Sequence, residues 1–286
     1  MKVLVNGQLI ERQAAKVDIE DRGYQFGDGI YEAIRVYEGK FFTLSEHLER
    51  LYASALKIEL TIPYTPAELT ALLQQLITAN ELTTGLVYFQ ITRGVQAPRN
   101  HVYLPKTRAT LTATTMAMPR DSATFRQGIK TITVKDTRWL HCDIKSLNLL
   151  GNLLATNQAA KVNAQEAIFY RDADHVTECS HSNVAIIQGG TLFTHPANEL
   201  ILNGITRQVI LRIARKQGIP VEERPFSLAE LKAADEVFIS SVAAEITAVG
   251  KVDETLIGDG TIGPISEKLL QGYVEEIEKE CGIRVE

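Results

Sequence analysis

The sequence predicts an α+β protein folded as two units, and three observations carry that expectation. Strand-like and helix-like runs follow one another irregularly, without the strict alternation of a doubly wound sheet. Pro119, Arg120, Asp121 and Ser122 form a polar, turn-prone break. It separates a small N-terminal domain, residues 1–118, from a larger C-terminal one, residues 123–286, with 119–122 as linker. The chain has 286 residues, of which 45% are hydrophobic and 23% charged. That is enough apolar material for two modest cores and argues against global disorder.

The elements follow in order. Residues 3–5 and 8–10 flank Asn6-Gly7, a strong hairpin signal. Thr43, Leu44, Ser45 and Glu46 have the spacing of a capping box, and Leu44, Leu48, Leu51 and Ala55 make the apolar stripe of the helix behind it. A second helix starts at Thr65-Pro66, with proline at its first position, and carries Leu69, Leu72, Leu73 and Leu76. Strands are expected at 86–92 and 109–116. Beyond the linker, 129–134, 167–170, 184–187, 191–194 and 237–240 read as strands and 150–162 as a helix. Another helix opens near Gly204-Ile205-Thr206 and closes at Gln217-Gly218, and Pro264 to Cys281 is an amphipathic terminal helix. There is no internal repeat.

Composition narrows the partners. The net charge is -5, with no basic stripe, so nucleic acid is not expected. No apolar run approaches the roughly 20 residues that span a bilayer, and the first residues lack a secretory apolar core. Cys142, Cys179 and Cys281 are odd in number and have no C-x-x-C spacing, so neither a disulfide framework nor a metal site is expected. A cytoplasmic protein without a membrane partner is the reading. Gly27 and Gly29 lack the third glycine of a dinucleotide fingerprint, which excludes that reading of the glycine-dense stretch from Asp21 to Glu32.

Several residues are equipped for chemistry. Lys145 lies between Ile144 and Leu147, near the one tryptophan, Trp139. Burial disfavours an ammonium, and a neutral amine attacks an aldehyde to form a Schiff base. Taken alone, the segment reads more simply as a lysine snorkelling beside a core strand. Glu178 precedes the small polar run Cys179, Ser180, His181 and Ser182, which reads either as an ordinary polar turn or as a loop offering a carboxylate and hydroxyls to one ligand. Leu202, Asn203, Gly204, Ile205 and Thr206 lead into a helix whose first N–H groups suit a phosphate, or plain capping. Arg50 lies off the Leu44/Leu48/Leu51 stripe, as a phosphate donor or a solvated arginine. Arg99 and His101, two apart in a loop, project to one side and could share a carboxylate.

Together these segments resemble the class IV, fold-type IV pyridoxal-5′-phosphate (PLP) enzymes. Residues 21–32, 50–55, 138–150, 178–183 and 204–207 stand in that family's order and spacing, so the likeness covers essentially the whole chain. Within the family the chain looks most like bacterial D-amino-acid aminotransferases. The Pro98-Arg99-Asn100-His101 element sets these apart from branched-chain aminotransferases and aminodeoxychorismate lyases. The resemblance implies mixed sheets and barrel-like strands packed with helices, with PLP between the domains. It implies Lys145 as the Schiff-base lysine and Glu178 as the partner of the pyridine nitrogen. Arg50, Ile205, Thr206, Ser241 and Val242 match the phosphate cup, and Leu202 the apolar residue against the ring. Tyr31, Arg99 and His101 match the trap for the substrate α-carboxylate. Arg99 and His101 reach in from the partner subunit, so a homodimer is implied.

The sequence departs from the family pattern in two places. Cys179-Ser180-His181-Ser182 replaces a more uniformly small run, and Ser240-Ser241-Val242-Ala243 replaces a threonine-rich turn, so Val242 offers its N–H but no hydroxyl. The implied activity is ping-pong transamination of D-amino acids, D-alanine and 2-oxoglutarate giving pyruvate and D-glutamate. The nearest alternatives are an L-branched-chain aminotransferase or an aminodeoxychorismate lyase on the same scaffold. A noncatalytic protein that binds a phosphate ligand is the rival from another class.

Overall fold

A computed structural model describes residues 1–105 and 107–285. The chain divides into two compact units, Met1–Arg120 with Ile144–Asn148, and Asp121–Asp143 with Leu149–Glu286.

The first unit opens with β1 (Lys2–Val5) and β2 (Gln8–Glu11), paired antiparallel. Asn6 and Gly7 between them both have positive φ, 50° and 83°, as a two-residue turn that follows the twist of the strands requires. α1 (Arg22–Phe26) is capped by Asp21, whose carboxylate accepts from the Gly23 N–H at 2.8 Å. Next come β3 (Gly29–Tyr37), β4 (Lys40–Phe41), α2 (Leu44–Lys57), α3 (Pro66–Ala79), β5 (Gly85–Thr92) and β6 (Thr110–Ala117). The sheet runs in the order β2-β1-β6-β5-β3-β4, antiparallel throughout.

Ile30, Ile34 and Val36 of β3 and Val87, Phe89 and Ile91 of β5 share a core with Leu48, Leu51 and Ala55 of α2 and Leu69, Leu73 and Leu76 of α3. Each of these Val, Leu, Ile and Phe side chains, fully buried, contributes roughly 1.5–3 kcal/mol. The capping box expected at Thr43 is not formed. Thr43 sits in the left-handed region, φ 57°, and its hydroxyl donates to the Phe42 carbonyl at 2.7 Å. An N-cap needs an extended backbone to aim its oxygen into the first turn. Thr65 has one, φ -76° and ψ 161°, and forms a full capping box with Glu68.

The segment Ile144–Asn148 packs with this first unit, although in sequence it lies well past the expected linker. β4 covers only the far end of β3, at Val36 and Tyr37. The near end is covered by the segment instead: Tyr31 N–H donates to the Lys145 carbonyl and Leu147 N–H to the Gly29 carbonyl, both at 3.0 Å. Gly29 has to be glycine for this approach, since a Cβ there would lie 2.7 Å from the Ile91 oxygen and 2.8 Å from Leu147 Cδ1.

The second unit contains β7 (Ile129–Lys135), α4 (Leu150–Lys161), β8 (Glu166–Tyr170), β9 (Val176–Cys179), β10 (Asn183–Gln188) and β11 (Thr191–Thr194). α5 (Ile205–Lys216), β12 (Val221–Glu223), α6 (Leu228–Ala233), β13 (Glu236–Ser241), β14 (Glu245–Val252), β15 (Thr255–Leu256) and α7 (Pro264–Cys281) complete it. Its mixed sheet runs β12-β11-β10-β13-β14-β7-β8-β9, with β15 on β14. β7 and β8 are parallel and joined through α4, the crossover that a parallel pair demands. Val184, Ile186, Val237 and Ile239 anchor its core. The fold is thus α+β in two units built on mixed and antiparallel sheets. Among the described residues no helix is long and apolar enough to cross a membrane, and the three cysteines are unpaired and buried.

Candidate active site

Lys145 is held through its backbone. Besides the bond to Tyr31, its N–H donates to Ser54 Oγ at 3.3 Å, while Ile144 is buried in the first core. Its Nζ lies over the Tyr31 ring, 4.3 Å from the centroid. The lysine is therefore a positioned amine at a strand edge, half-buried against an aromatic face.

Glu32 points into the core side of the same strand and is fully buried. Arg50 of α2 grips it with both arms, Nε to Oε1 and Nη2 to Oε2, each at 2.8 Å. His47 Nδ1 approaches Oε2 at 2.7 Å. Burial alone would raise the Glu32 carboxyl, but Arg50 and His47 outweigh it and hold it down at about 2. Arg50 is thus no solvated helix residue. It is fixed in orientation by an ionised carboxylate beneath it, and the sequence reading missed both Glu32 and His47.

The loop carrying Arg99 and His101 is organised by Phe26 and Arg22. The Arg99 guanidinium lies 4.3 Å and the His101 ring 5.4 Å from the Phe26 centroid. Arg22 donates to the carbonyls of Asn100 at 2.5 Å and His101 at 3.0 Å, and is itself paired with Asp28 at 2.8 Å. Arg99 and His101 remain exposed. Tyr31 belongs to a different group, stacked 5.6 Å from Tyr88 and against Lys145.

In the second unit Glu178 is not on a polar loop, as its flanking residues suggested. It lies in strand β9, where all four residues are buried. Its Oε1 accepts from Arg138 Nη1 at 2.7 Å, and its Oε2 from the Leu202 N–H at 3.0 Å and Asn183 Nδ2 at 3.3 Å. Arg138 is aimed by Asp136, through Nε at 3.0 Å and Nη2 at 2.9 Å, and lies 4.2 Å over the Phe169 ring. Burial raises the Glu178 carboxyl to about 7 against the pull of Arg138. One guanidinium does not offset the desolvation, so the carboxylate is matched to a further cation beside it. A protonated ring nitrogen is such a group.

Leu202 leads directly into α5. Gly204 is the N-cap and provides no side-chain hydrogen bond to the first turn, where Ile205 and Thr206 are buried. A Cβ on Gly204 would fall 2.1 Å from Asn183 Oδ1, so the amide that touches Glu178 also forbids a side chain at the cap. An uncapped helix N-terminus next to a buried acid suits a phosphorylated ring carrying a basic nitrogen. Ser241 ends β13, and its Oγ accepts from the Ala244 N–H at 3.1 Å, closing a turn that includes Val242.

The polar run after Glu178 has its own anchor. Buried Glu166 binds the Ser180 N–H at 3.1 Å, the Ser180 hydroxyl, the Ser182 hydroxyl at 2.8 Å and His181 Nδ1 at 3.1 Å. A histidine where small residues were expected is therefore accommodated by a carboxylate 15 residues upstream. No local pattern announces that partnership, just as none announces Arg138 and Asp136.

The comparisons agree with this chemistry. The family described as Amino-transferase class IV matches residues 29–252. A D-alanine aminotransferase of Listeria monocytogenes serotype 4b is 58% identical over 99% of this chain and 98% of its own. One from Staphylococcus haemolyticus is 48% identical over 97% and 98%. A solved branched-chain amino acid aminotransferase of T.th. with pyridoxamine 5′-phosphate superposes with a TM-score of 0.88 at 27% identity, covering 96% of this chain and 93% of its own. The buried glutamate, the helix with no side-chain cap and the positioned lysine fall within the matched stretch, and the chain belongs to the class IV aminotransferases.

Proposed function

We propose that this protein transfers the amino group of D-amino acids, D-alanine foremost, to 2-oxo acids such as 2-oxoglutarate, giving pyruvate and D-glutamate with PLP as cofactor. The observation that carries the reading is the 58% identity to a D-alanine aminotransferase, sustained over 99% of the chain. The branched-chain aminotransferases share the fold at 26–29% identity, which supports the architecture more than the substrate.

When bound, PLP supplies the electron sink for the pair left by a departing Cα proton. Lys145 would hold the cofactor through its Nζ, and as a free amine that Nζ would take the proton from the substrate Cα as a general base. In the opposite half-reaction the same Nζ returns a proton to Cα from the same side, which fixes the configuration of the product. Glu178, aimed by Arg138 and Asn183, holds a negative charge for the ring nitrogen. Arg50, with the first-turn N–H groups at Ile205 and Thr206 and the turn at Ser241 and Val242, binds the phosphate. Leu202 packs against the ring. Tyr31, Arg99 and His101 hold the substrate α-carboxylate, with Arg99 and His101 contributed by the second subunit of a homodimer. The expected setting is the cytoplasm.

The test is chiral analysis of the glutamate formed from 2-oxoglutarate with D-alanine or with L-leucine as donor. D-glutamate from D-alanine, with L-leucine at least about 100-fold slower, is the expected result. L-glutamate from L-leucine would transfer the chain to the branched-chain reaction.

A further inference from the structure

The loop that bears Arg99 and His101 is exposed, yet its backbone is tied to buried side chains. Arg22, on α1, donates from Nη1 to the Asn100 carbonyl at 2.5 Å and from Nη2 to the His101 carbonyl at 3.0 Å. Gln96 donates from Nε2 to the Val102 carbonyl and accepts from the Leu104 N–H, both at 2.9 Å. Three successive carbonyls are thus taken by two side chains, both of them buried. Asn100 Oδ1 tightens the turn by accepting from the Val102 N–H at 3.0 Å. With these carbonyls bound to the interior, the segment leaves the side chains of Arg99 and His101 exposed.

Arg22 is in turn held from behind. Its Nε donates to Asp28 Oδ2 at 2.8 Å, and the same oxygen accepts from Arg93 Nε at 2.9 Å. The Arg93 fork closes on the carbonyls of Ile58 at 2.7 Å and Glu59 at 3.0 Å, just past the end of α2. A planar guanidinium with all three nitrogens engaged has one orientation. A frame therefore runs from the end of α2 through Arg93, Asp28 and Arg22 to the loop. Four residues after Arg22, on the same helix, Phe26 meets the two exposed side chains. The Arg99 guanidinium lies 4.3 Å and the His101 ring 5.4 Å from its centroid. One short helix thus holds both the backbone of the loop and the side chains it displays.

We propose that Arg22 and Gln96 are positioning residues for recognition of the substrate α-carboxylate, acting through Arg99 and His101 by holding their loop in its binding shape before substrate arrives. This deepens the reading of Arg99 and His101 as the carboxylate trap and rests on it. An anchor on a slack loop spends part of its binding free energy on ordering that loop, and an anchor on a preset loop does not. Neither Arg22 nor Gln96 carries a proton in the reaction. Loss of either therefore weakens binding of both substrates and spares the chemical step.

The test uses the PLP-loaded enzyme. In Arg22→Met, KM for D-alanine and for 2-oxoglutarate should rise together, roughly 10-fold or more, because charge-assisted bonds to two carbonyls are lost. The limiting rate of half-transamination should stay within about threefold of wild type, and the PLP dissociation constant within about twofold. Arg22→Lys, which keeps the charge but not the fork, should lie between wild type and Arg22→Met. In an Arg99→Ala/His101→Ala background, Arg22→Met should lower kcat/KM by less than about twofold further, since the residues it positions are gone. A full additional loss in that background, an unchanged KM, or cofactor lost in step with substrate binding would overturn the proposal in favour of a purely structural arginine. Gln96→Leu removes two of the loop's bonds and leaves the charged frame intact, so it decides the matter even if Arg22→Met does not fold. It should show the same rise in KM at a preserved limiting rate, and a wild-type KM would overturn the proposal. If Arg99→Ala/His101→Ala itself kept a wild-type KM, the carboxylate-trap reading would fail, and the proposal with it.

Discussion

At the scale of the residue, Glu178 shows how far burial shifts the titration of a common side chain. Burial lifts its carboxyl to about 7, whereas the unperturbed group titrates near 4.5. The folded state holds that proton more tightly than the unfolded chain. Glu178 therefore favours folding most below pH 4.5, and loses that contribution as pH rises through about 7. In cofactor-free protein, the stability of wild type relative to Glu178→Gln should fall between pH 4.5 and 8 by an amount of order 3 kcal/mol, read from denaturant melts. A pH-independent difference would mean that Arg138 keeps the carboxylate ionised throughout. In the loaded enzyme the same substitution should slow Cα deprotonation roughly 100-fold with cofactor retained. A single-turnover rate equal to wild type would remove Glu178 from the electron-sink chemistry. Glu178 was nameable from the sequence only through its likeness to a family. Its burial depends on Arg138, Asn183 and Leu202, at separations no local pattern encodes.

Among the elements, the link between α2 and β3 carries the most tension. Glu32 is an acid buried completely in a strand, acceptable only because Arg50 and His47 meet it. Arg50→Ala should accordingly do two things at once. Cofactor dissociation should accelerate, and the cofactor-free protein should lose about 3–5 kcal/mol, since the substitution leaves a buried carboxylate with His47 alone. Weakened cofactor retention with unaltered apoprotein stability would contradict the ion-pair part of the account. Regular elements were legible where apolar period and turn residues agreed, as in α3, β11, α7 and the Asn6-Gly7 hairpin. β3 was hidden because Glu32 and Arg35 interrupt its apolar face pattern, and β9 because Thr177 and Glu178 look like surface residues. In both strands the disguise consists of polar side chains that the fold buries. The unformed capping box at Thr43 is the opposite case, a correct local pattern overruled by a left-handed backbone.

At the scale of the whole molecule, the chain presents Arg99 and His101 on an exposed loop stacked on Phe26, while Lys145 and Tyr31 form a separate group. If the loop serves the neighbouring subunit's lysine, mixing Arg99→Ala with Lys145→Ala protein should restore activity. Each heterodimer would contain one site with both residues intact, so up to about a quarter of wild-type activity per chain is expected for random mixing. Inactive mixtures shown by mass spectrometry to contain heterodimers would end the cross-subunit assignment.

D-selective transamination through Lys145 is tested most directly by half-transamination in the absence of any acceptor. The purified, PLP-loaded protein is mixed with D-alanine or with L-alanine, and the cofactor absorbance is followed in wild type and in Lys145→Ala. Rapid conversion to the pyridoxamine form is expected with D-alanine, conversion at least about 100-fold slower with L-alanine, and a loss of roughly 1000-fold or more in the lysine variant. Equal rates with both enantiomers, or a Lys145→Ala protein as fast as wild type, would contradict it.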